Sequence, residues 1–457
     1  MPQIDSRYPI RPGDFELKTL ILKSYNGKDL DLTYVTEELN LFEDLYSNCM
    51  TGNIVITDIE NNIMHHPIIG HERLEVEFTT PFAKTASFHR EFLVYRIDKR
   101  KTEKNTQGMQ SYILRLVTPE FVINLEAKIF KAWKNTKPSN IVAELIAGFG
   151  TGAMVSLENT LHPLSVVIPG WRPLDAINWI AARSISSTNT HSSNFLFYEN
   201  NDGFFFRTLG GLLSAPTVKQ SVVTHNANHL DTIPDLTYVY QMANIKTDAV
   251  REPKHFDLSE QMRTIESYEI VKTFDICENL RRGMYASSMA VHDIVGKTWS
   301  YYKYNYATDW EKQDHLESTK TAGGNSMLCH PTVDNYCTSD AQRFSFNPTH
   351  AGLFDESVYD PQGHAEQRIM RRHSQMQQVN NVIVNVTVPG DAQRKVGDVI
   401  GLDIPSVEPA NENSPPGKDV YYTGRYLVTH LRHVIQPDSY RMHMRLAKDT
   451  LSKPLEV

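Results

Sequence analysis

The sequence predicts an α+β chain that is mainly β. Two blocks of antiparallel strands flank a helix-plus-hairpin module, and an insertion precedes the C-terminal block. Three observations predict this. Near the C-terminus Tyr440, Met442, Met444 and Leu446 alternate with Arg441, His443 and Arg445, so one face of that segment is buried and the other is wet. In the first quarter Leu74, Val76 and Phe78 alternate with Glu75 and Glu77, and Tyr112, Leu114 and Leu116 form a second period-two face. Between the two blocks the period changes to that of helices, opened by Thr118, Pro119 and Glu120.

Taken in order, residues 1–13 read as an N-terminal arm, because Pro9, Pro12 and Gly13 break regular structure. Residues 14–118 form the first β-domain, with a turn and short strand at Thr51, Gly52, Ile54 and Ile56. Residues 119–232 form the helix-plus-hairpin module. Its first helix starts at Pro119 and is expected to reach about Trp133. A second helix starts near Pro138 and stops at Gly148, and a third starts at Pro173 with Leu174, Ile177 and Ala181 on one face. Asp202 and Gly203, set between the aromatic runs ending at Tyr198 and starting at Phe204, mark a hairpin.

Residues 233–300 together with 376–457 form the second β-domain, and 301–375 an insertion with a loop and a helix. That helix follows Asp360 and Pro361 and aligns Ala365, Ile369 and Met376, with Arg368, Arg371, Arg372 and His373 on a solvated face or, alternatively, on a surface for an acidic protein partner. The C-terminal strands are punctuated by Pro389-Gly390, by Val396-Gly397-Asp398, by Pro405 and the loop after it, and by Gly424. No repeat is visible in the letters themselves.

The chain has 457 residues, more than one core supports, and a hydrophobic share of 40% that is ordinary for a globular protein. No apolar run approaches the roughly 20 residues that span a bilayer, and the N-terminus lacks the apolar core of a signal peptide. Synthesis in a cytoplasm, without membrane insertion, is the expectation. Cys49, Cys277, Cys329 and Cys337 are too few for a disulfide scaffold. A net charge of −8 argues against a general nucleic-acid surface, yet an acidic wall that repels phosphate is compatible with it.

Motifs with chemical potential have simpler structural readings. Gly148, Gly150 and Gly152 follow a helix, whereas a dinucleotide fingerprint opens one. Gly296-Lys297-Thr298 resembles the end of a phosphate loop, but Val291 stands where its first glycine belongs, so a turn between strands is expected. Cys329, His330 and Cys337 are three soft ligands in one loop, without the paired spacing of a zinc site. His225 and His229 have Asn226 where a metalloprotease has glutamate. His65, His66, His71, His430 and His433 read as polar residues of loops and strands. The aromatic run Trp299, Tyr301, Tyr302, Tyr304 and Tyr306 suits a strand or interface, or a stacking surface for sugars or bases. No two carboxylates are singled out as an acid/base pair, and no catalytic residue, cofactor or metal ligand is assigned.

Several ordered features carry a resemblance. They begin with Glu43-Asp44-Leu45-Tyr46, then Met50-Thr51-Gly52-Asn53-Ile54, then Pro67-Ile68-Ile69-Gly70-His71-Glu72 before the strand ending at Phe78 and Pro81. The hairpin from Phe195 to Arg207 follows, then Pro389-Gly390, Val396-Gly397-Asp398 and Gly424-Arg425-Tyr426-Leu427-Val428 before the alternating last strand. In this order they resemble the baseplate central hub proteins of contractile-tailed bacteriophages, relatives in fold of the hub portion of type VI secretion spikes (VgrG-type). Residues 309–360 lie outside the resemblance.

The resemblance implies two tail-tube-like antiparallel β-barrel domains per chain in a ring-forming homotrimer. That ring would adapt a six-fold tail tube above to a separate three-fold spike protein below. It would touch baseplate wedge or peripheral proteins, and let phage DNA pass without specific binding, all within the virion. Two other functions compete. A receptor-binding or peripheral baseplate protein would use a distal binding surface around 299–360, and a cell-wall hydrolase of the tail would cleave peptidoglycan.

Overall fold

Strands with one apolar face bury it only by assembling side by side and covering that face. The computed structural model describes residues 11–24, 27–59, 68–80, 87–102, 109–226, 229–237, 239–242, 261–294, 296–320, 343–349, 364–404, 419 and 421–452. Its largest sheet has 14 strands, drawn from the two ends of the chain. The first set is β1 (Glu16–Lys23), β2 (Leu30–Asp31), β3 (Thr36–Asp44), β4 (Thr51–Asp58), β5 (Arg73–Thr79), β6 (Ser87–Thr102) and β7 (Gln110–Val117).

The module that follows contains α1 (Pro119–Glu126), β8 (Ile129–Thr136), α2 (Pro138–Ala147), β9 (Val155–Leu157), β10 (Leu164–Trp171) and α3 (Pro173–Ala181). The aromatic hairpin β11 (Phe195–Asn200) and β12 (Gly203–Thr208) and the short α4 (Leu209–Leu213) complete it. A two-stranded hairpin, β13 (Lys219–Asn226) and β14 (His229–Thr237), leads onward.

The second set of sheet strands opens with β15 (Val239–Met242), β16 (Thr264–Ile265) and β17 (Ser267–Lys272). It is interrupted by α5 (Ile276–Arg281), β18 (Ala286–Asp293), β19 (Thr298–Asn305), α6 (Tyr306–Asp309), β20 (Thr319–Lys320), β21 (Arg343–Thr349) and α7 (Ala365–Val379). It resumes with β22 (Val382–Pro389), β23 (Val399–Asp403), β24 (Gly424–Gln436) and β25 (Ser439–Lys448), and β26 (Thr450–Leu451) ends the described chain.

The two sets repeat one topology. The first lies in the order β3-β4-β7-β6-β5-β1-β2, the second in the order β17-β22-β25-β24-β23-β15-β16. Numbered by chain order within its own set, each path reads third, fourth, seventh, sixth, fifth, first, second. Local details recur as well. β6 bulges between Val94 and Arg96 against β7, and β24 bulges between Val428 and His430 against β25. The Val94 N–H donates to the Glu72 carbonyl and the Val428 N–H to the Asp398 carbonyl, both at 2.9 Å. A glycine at positive φ precedes each of those carbonyl residues, Gly70 at 99° two positions before Glu72 and Gly397 at 91° one position before Asp398. Two differences remain: β1 runs antiparallel to β5 and to β2, whereas β15 runs parallel to β23 and to β16.

The sets meet where β3 pairs antiparallel with β24, from His430 opposite Asp44 to Ile435 opposite Leu39. One apolar core crosses this seam, with Leu41, Ile54 and Leu114 on one side and Val384, Met444 and Leu446 on the other. The alternation expected for the last strand is present: Tyr440, Met442, Met444 and Leu446 are buried, and Arg441, His443 and Arg445 are exposed. A second core, including Ile141, Ile177, Phe195 and Phe206, holds the helix-and-hairpin module. A third joins Met289, Tyr304 and Trp310 to Ala365 and Met370 of α7.

Two expectations are corrected. α1 stops at Glu126, where Ala127 turns extended, and 129–136 is a strand. Its good helix formers yield to pairing with β10 and to burial of Trp133, whose ring N–H donates to Glu144 Oε2 at 2.8 Å. The basic side of α7 is not a solvated face. Arg368 is buried, its guanidinium donating to the Ala182 carbonyl at 2.8 Å, and Arg372 reaches the Ala181 carbonyl at 3.4 Å. Both cap the C-terminal end of α3, where unpaired carbonyls carry partial negative charge. Ile369 and Met376 are only half-buried. The opening of this helix at Asp360 and Pro361 lies outside the described residues, as do parts of 309–360.

Candidate functional site, the seam between the strand repeats

The seam buries charge on its core side. β3 alternates so that Leu39, Leu41 and Glu43 point inward, which places a carboxylate in the core. A buried carboxylate must be met by donors. Glu43 Oε2 accepts from the Val396 N–H at 2.9 Å and Oε1 from the Asn201 N–H at 3.2 Å, while His433 Nε2 stands 3.9 Å away. The other ring nitrogen of His433 is 2.6 Å from the Tyr440 hydroxyl, and its ring packs edge-on to Phe78 and Phe88. One side chain therefore ties together β3, the tip of the aromatic hairpin and the turn before β23.

The hairpin adds further ties. Glu199 accepts from the Met50 N–H at 2.9 Å and the Thr118 hydroxyl at 2.8 Å, with Arg90 at 3.9 Å. Burial pushes its carboxyl up to about 7, against the pull of Arg90. The Asn200 amide donates to the Val396 carbonyl at 3.2 Å, and Lys395 pairs with Asp202. Asp398 sits within 3.6 Å of Arg394 and accepts from the Lys395 N–H, and burial pushes it up to about 6. Gly397 is packed so closely that a Cβ there would lie 2.7 Å from the Tyr198 hydroxyl oxygen.

The other side of the seam is open. A cavity of about 640 Å³ lies over it, lined among others by Asp44, Thr387, His430, Arg432, His443 and Arg445. Burial pulls His430 below the usual imidazole value, opposed by Asp44 at 3.4 Å. The His443 ring meets the Thr387 hydroxyl at 2.9 Å. Cys49 at the rim has its thiol pushed far up by burial, which makes it a poor nucleophile. This surface offers both signs of charge over a broad face.

Other residues singled out in the sequence disperse. Gly148 caps α2, and Gly150 and Gly152 take positive φ in the turn after it. Gly296 and Lys297 turn between β18 and β19. His225 and His229 stand on the two strands of the β13–β14 hairpin, not on one helix. Cys329, His330, Cys337, His65 and His66 lie outside the described residues. Among the described residues no group of three or more His, Cys, Asp or Glu side chains is placed to hold a metal ion, and no helix is long and apolar enough to cross a membrane. Trp299 and Tyr301 stand exposed on β19, with the His292 ring stacked on Trp299 at 4.2 Å. Sequence patterning did not single out the burial of Glu43, Glu199 and Asp398. For Glu43 the available signal was a carboxylate in phase with the inward-facing Leu39 and Leu41.

The fold is that of bacteriophage tail proteins. Over 95% of its length the chain matches a tail protein from Neisseria meningitidis MC58 (98% of that chain, TM-score 0.51, 11% identity). A 43 kDa tail protein of prophage MuSo2 from Shewanella oneidensis matches over 94% of the chain and 99% of its own, with TM-score 0.51 and 9% identity. In sequence the chain is similar to the "Probable baseplate hub protein gp334" of Vibrio phage KVP40, 20% identical over 446 residues that cover 95% of each. No known family profile matches the chain.

Proposed function

We propose that the protein is a structural component of a contractile phage tail, the central hub of the baseplate. The observation that supports this most is the repeated seven-strand path joined by a continuous β3–β24 seam. One chain thereby supplies two similar wall segments side by side, so three chains supply six. A trimer of this kind meets a six-fold tube on one face and a three-fold spike on the other. Each strand set, β1–β7 and β15–β17 with β22–β25, acts as a tube-like barrel, and β18 and β19, placed with the second block from the sequence, belong instead to a separate sheet with β21. The helix-and-hairpin module braces the seam through Glu199, Asn200 and Asn201. The net charge of −8 suits a passage that DNA crosses without sticking. The similarity to a curated baseplate hub protein over nearly the whole chain supports the same reading.

A second reading, a peripheral or receptor-binding baseplate role, draws on the exposed Trp299 and Tyr301. Mass measurement in solution together with a peptidoglycan-lysis assay separates the readings. Trimers without lytic activity are the expected result. A monomer that hydrolyses peptidoglycan refutes the hub, and a monomer that binds glycans through Trp299 supports the second reading.

A further inference from the structure

We infer that a second copy of this chain lays its β17 along the open flank of β6, reproducing between molecules the β3–β24 seam found within one. In the repeated topology β17 corresponds to β3, and β6 corresponds to β24. β24 is long enough to pair twice on one flank, with β23 through Gly424–Leu427 and with β3 through His430–Ile435. β6 pairs with β5 on the corresponding flank only through Ser87–Leu93, and from Arg96 to Thr102 its other flank is taken by β7. Among the described residues no strand occupies the remaining flank of that half. β17 likewise pairs, among the described residues, with β22 alone. Each is an unpaired edge, and exposed edges are what strand addition completes.

The repeat also sets the register. Leu114 pairs with Ile54 as Met444 pairs with Val386, which aligns β7 with β25 and β4 with β22. Across these neighbours Asp98 takes the place of Arg432, and Lys101 that of Val434. In the same way Lys272 takes the place of Phe42, and Glu269 that of Asn40. Within the chain Arg432 faces Phe42 and Val434 faces Asn40. Between copies, Asp98 therefore faces Lys272, and Lys101 faces Glu269. Both pairs are opposite in sign. Directly opposed charges on neighbouring strands favour pairing when unlike and oppose it when alike.

Asp98 already meets Arg96 and Arg115 at 2.8 Å and Lys272 meets Glu278 at 2.9 Å, so that pair would join a network. Lys101 and Glu269 are exposed, with no ion pair among the described residues. The seam would also cover Tyr95, Ile270 and Val271, which stand exposed.

The contact is heterologous, so copies related by a closing rotation form a ring. The seam rests on the topology. The count of three rests on the hub reading. The test uses the full chain with Cys277→Ser as background, because Cys277 is exposed near β17. Lys101→Cys and Glu269→Cys are introduced together and singly, with mild oxidation, a non-reducing gel, native mass and circular dichroism as readouts. Covalent oligomers that require both cysteines are expected. Charge reversal is the second arm: Glu269→Lys or Lys101→Glu weakens assembly about threefold per seam, and the double reversal restores it. An assembled ring that neither cross-links nor responds to reversal overturns this seam while leaving the hub reading in place. A chain that stays monomeric at every concentration overturns both.

Discussion

Gly397 tests the clamp on the seam quantitatively. It holds φ at 91°, its N–H donates to the Val428 carbonyl at 3.0 Å, and the next carbonyl, that of Asp398, accepts from the Val428 N–H. A side chain at this φ costs about 1–2 kcal/mol from backbone sterics alone. Here a Cβ would also lie 2.7 Å from the Tyr198 hydroxyl oxygen and 3.6 Å from Leu212 Cδ2. Forcing such a contact in a packed region adds about 1–3 kcal/mol. Gly150 supplies the control. It sits at φ 67° with nothing within 4 Å of its added Cβ, so Gly150→Ala carries the backbone cost alone. Urea unfolding should give losses of about 1–2 kcal/mol for Gly150→Ala and about 2–5 kcal/mol for Gly397→Ala, with Gly397→Val at or above the upper end of the latter range. The larger two should be matched by weakened assembly. Equal losses for the two alanine variants would refute the claim that the hairpin tip and this turn are locked together.

Other consequences follow from burial. Glu199 and Asp398 bind their protons more tightly when folded, with values raised to about 7 and about 6. Their contribution is therefore complete below the ordinary carboxylate range and is lost as pH rises to about 6–7. The stability difference between wild type and Glu199→Gln should change by about 3 kcal/mol between pH 4.5 and 7.5; a flat difference would contradict this. Met444 is 1% exposed and faces Val386 and Leu431, so Met444→Ala should cost about 2–5 kcal/mol in chemical denaturation. Arg368→Met removes a charged donor from the Ala182 carbonyl and should lower stability by about 1–3 kcal/mol, read most sensitively by hydrogen exchange at the end of α3.

Strand faces, helix starts and the aromatic hairpin were legible in the sequence because each depends on local rules. Period-two alternation marks Tyr440 to Leu446, proline opens α1, α2 and α3 at the first position, and Asp202-Gly203 turns the hairpin. The repeat was not legible. A strand needs an apolar residue on its inner face, not a particular one, so Leu114 can answer to Met444 and Tyr112 to Met442 while the path stays the same.

The inner face of α7 was misread for a related reason. Its buried side includes Arg368, Ser374, Gln375 and Gln378, matched by partners far away in the chain, such as Asn194 for Gln375 at 2.8 Å and the Met284 carbonyl for Ser374 at 2.6 Å. A hydropathy pattern cannot register acceptors that only the fold supplies. The seam chemistry divides in the same way. The turn at Val396-Gly397-Asp398 was visible, but the convergence of Glu43 and the hairpin tip upon it exists only in three dimensions.

The central claim is that one chain contributes two equivalent wall segments to a closed ring. Class averages of the purified full-length protein, viewed down the ring axis by electron microscopy, test it most directly. The account predicts a three-fold particle with a central channel and six wall segments of similar outline around it. Particles without a channel, or a ring with three segments in place of six, would contradict it.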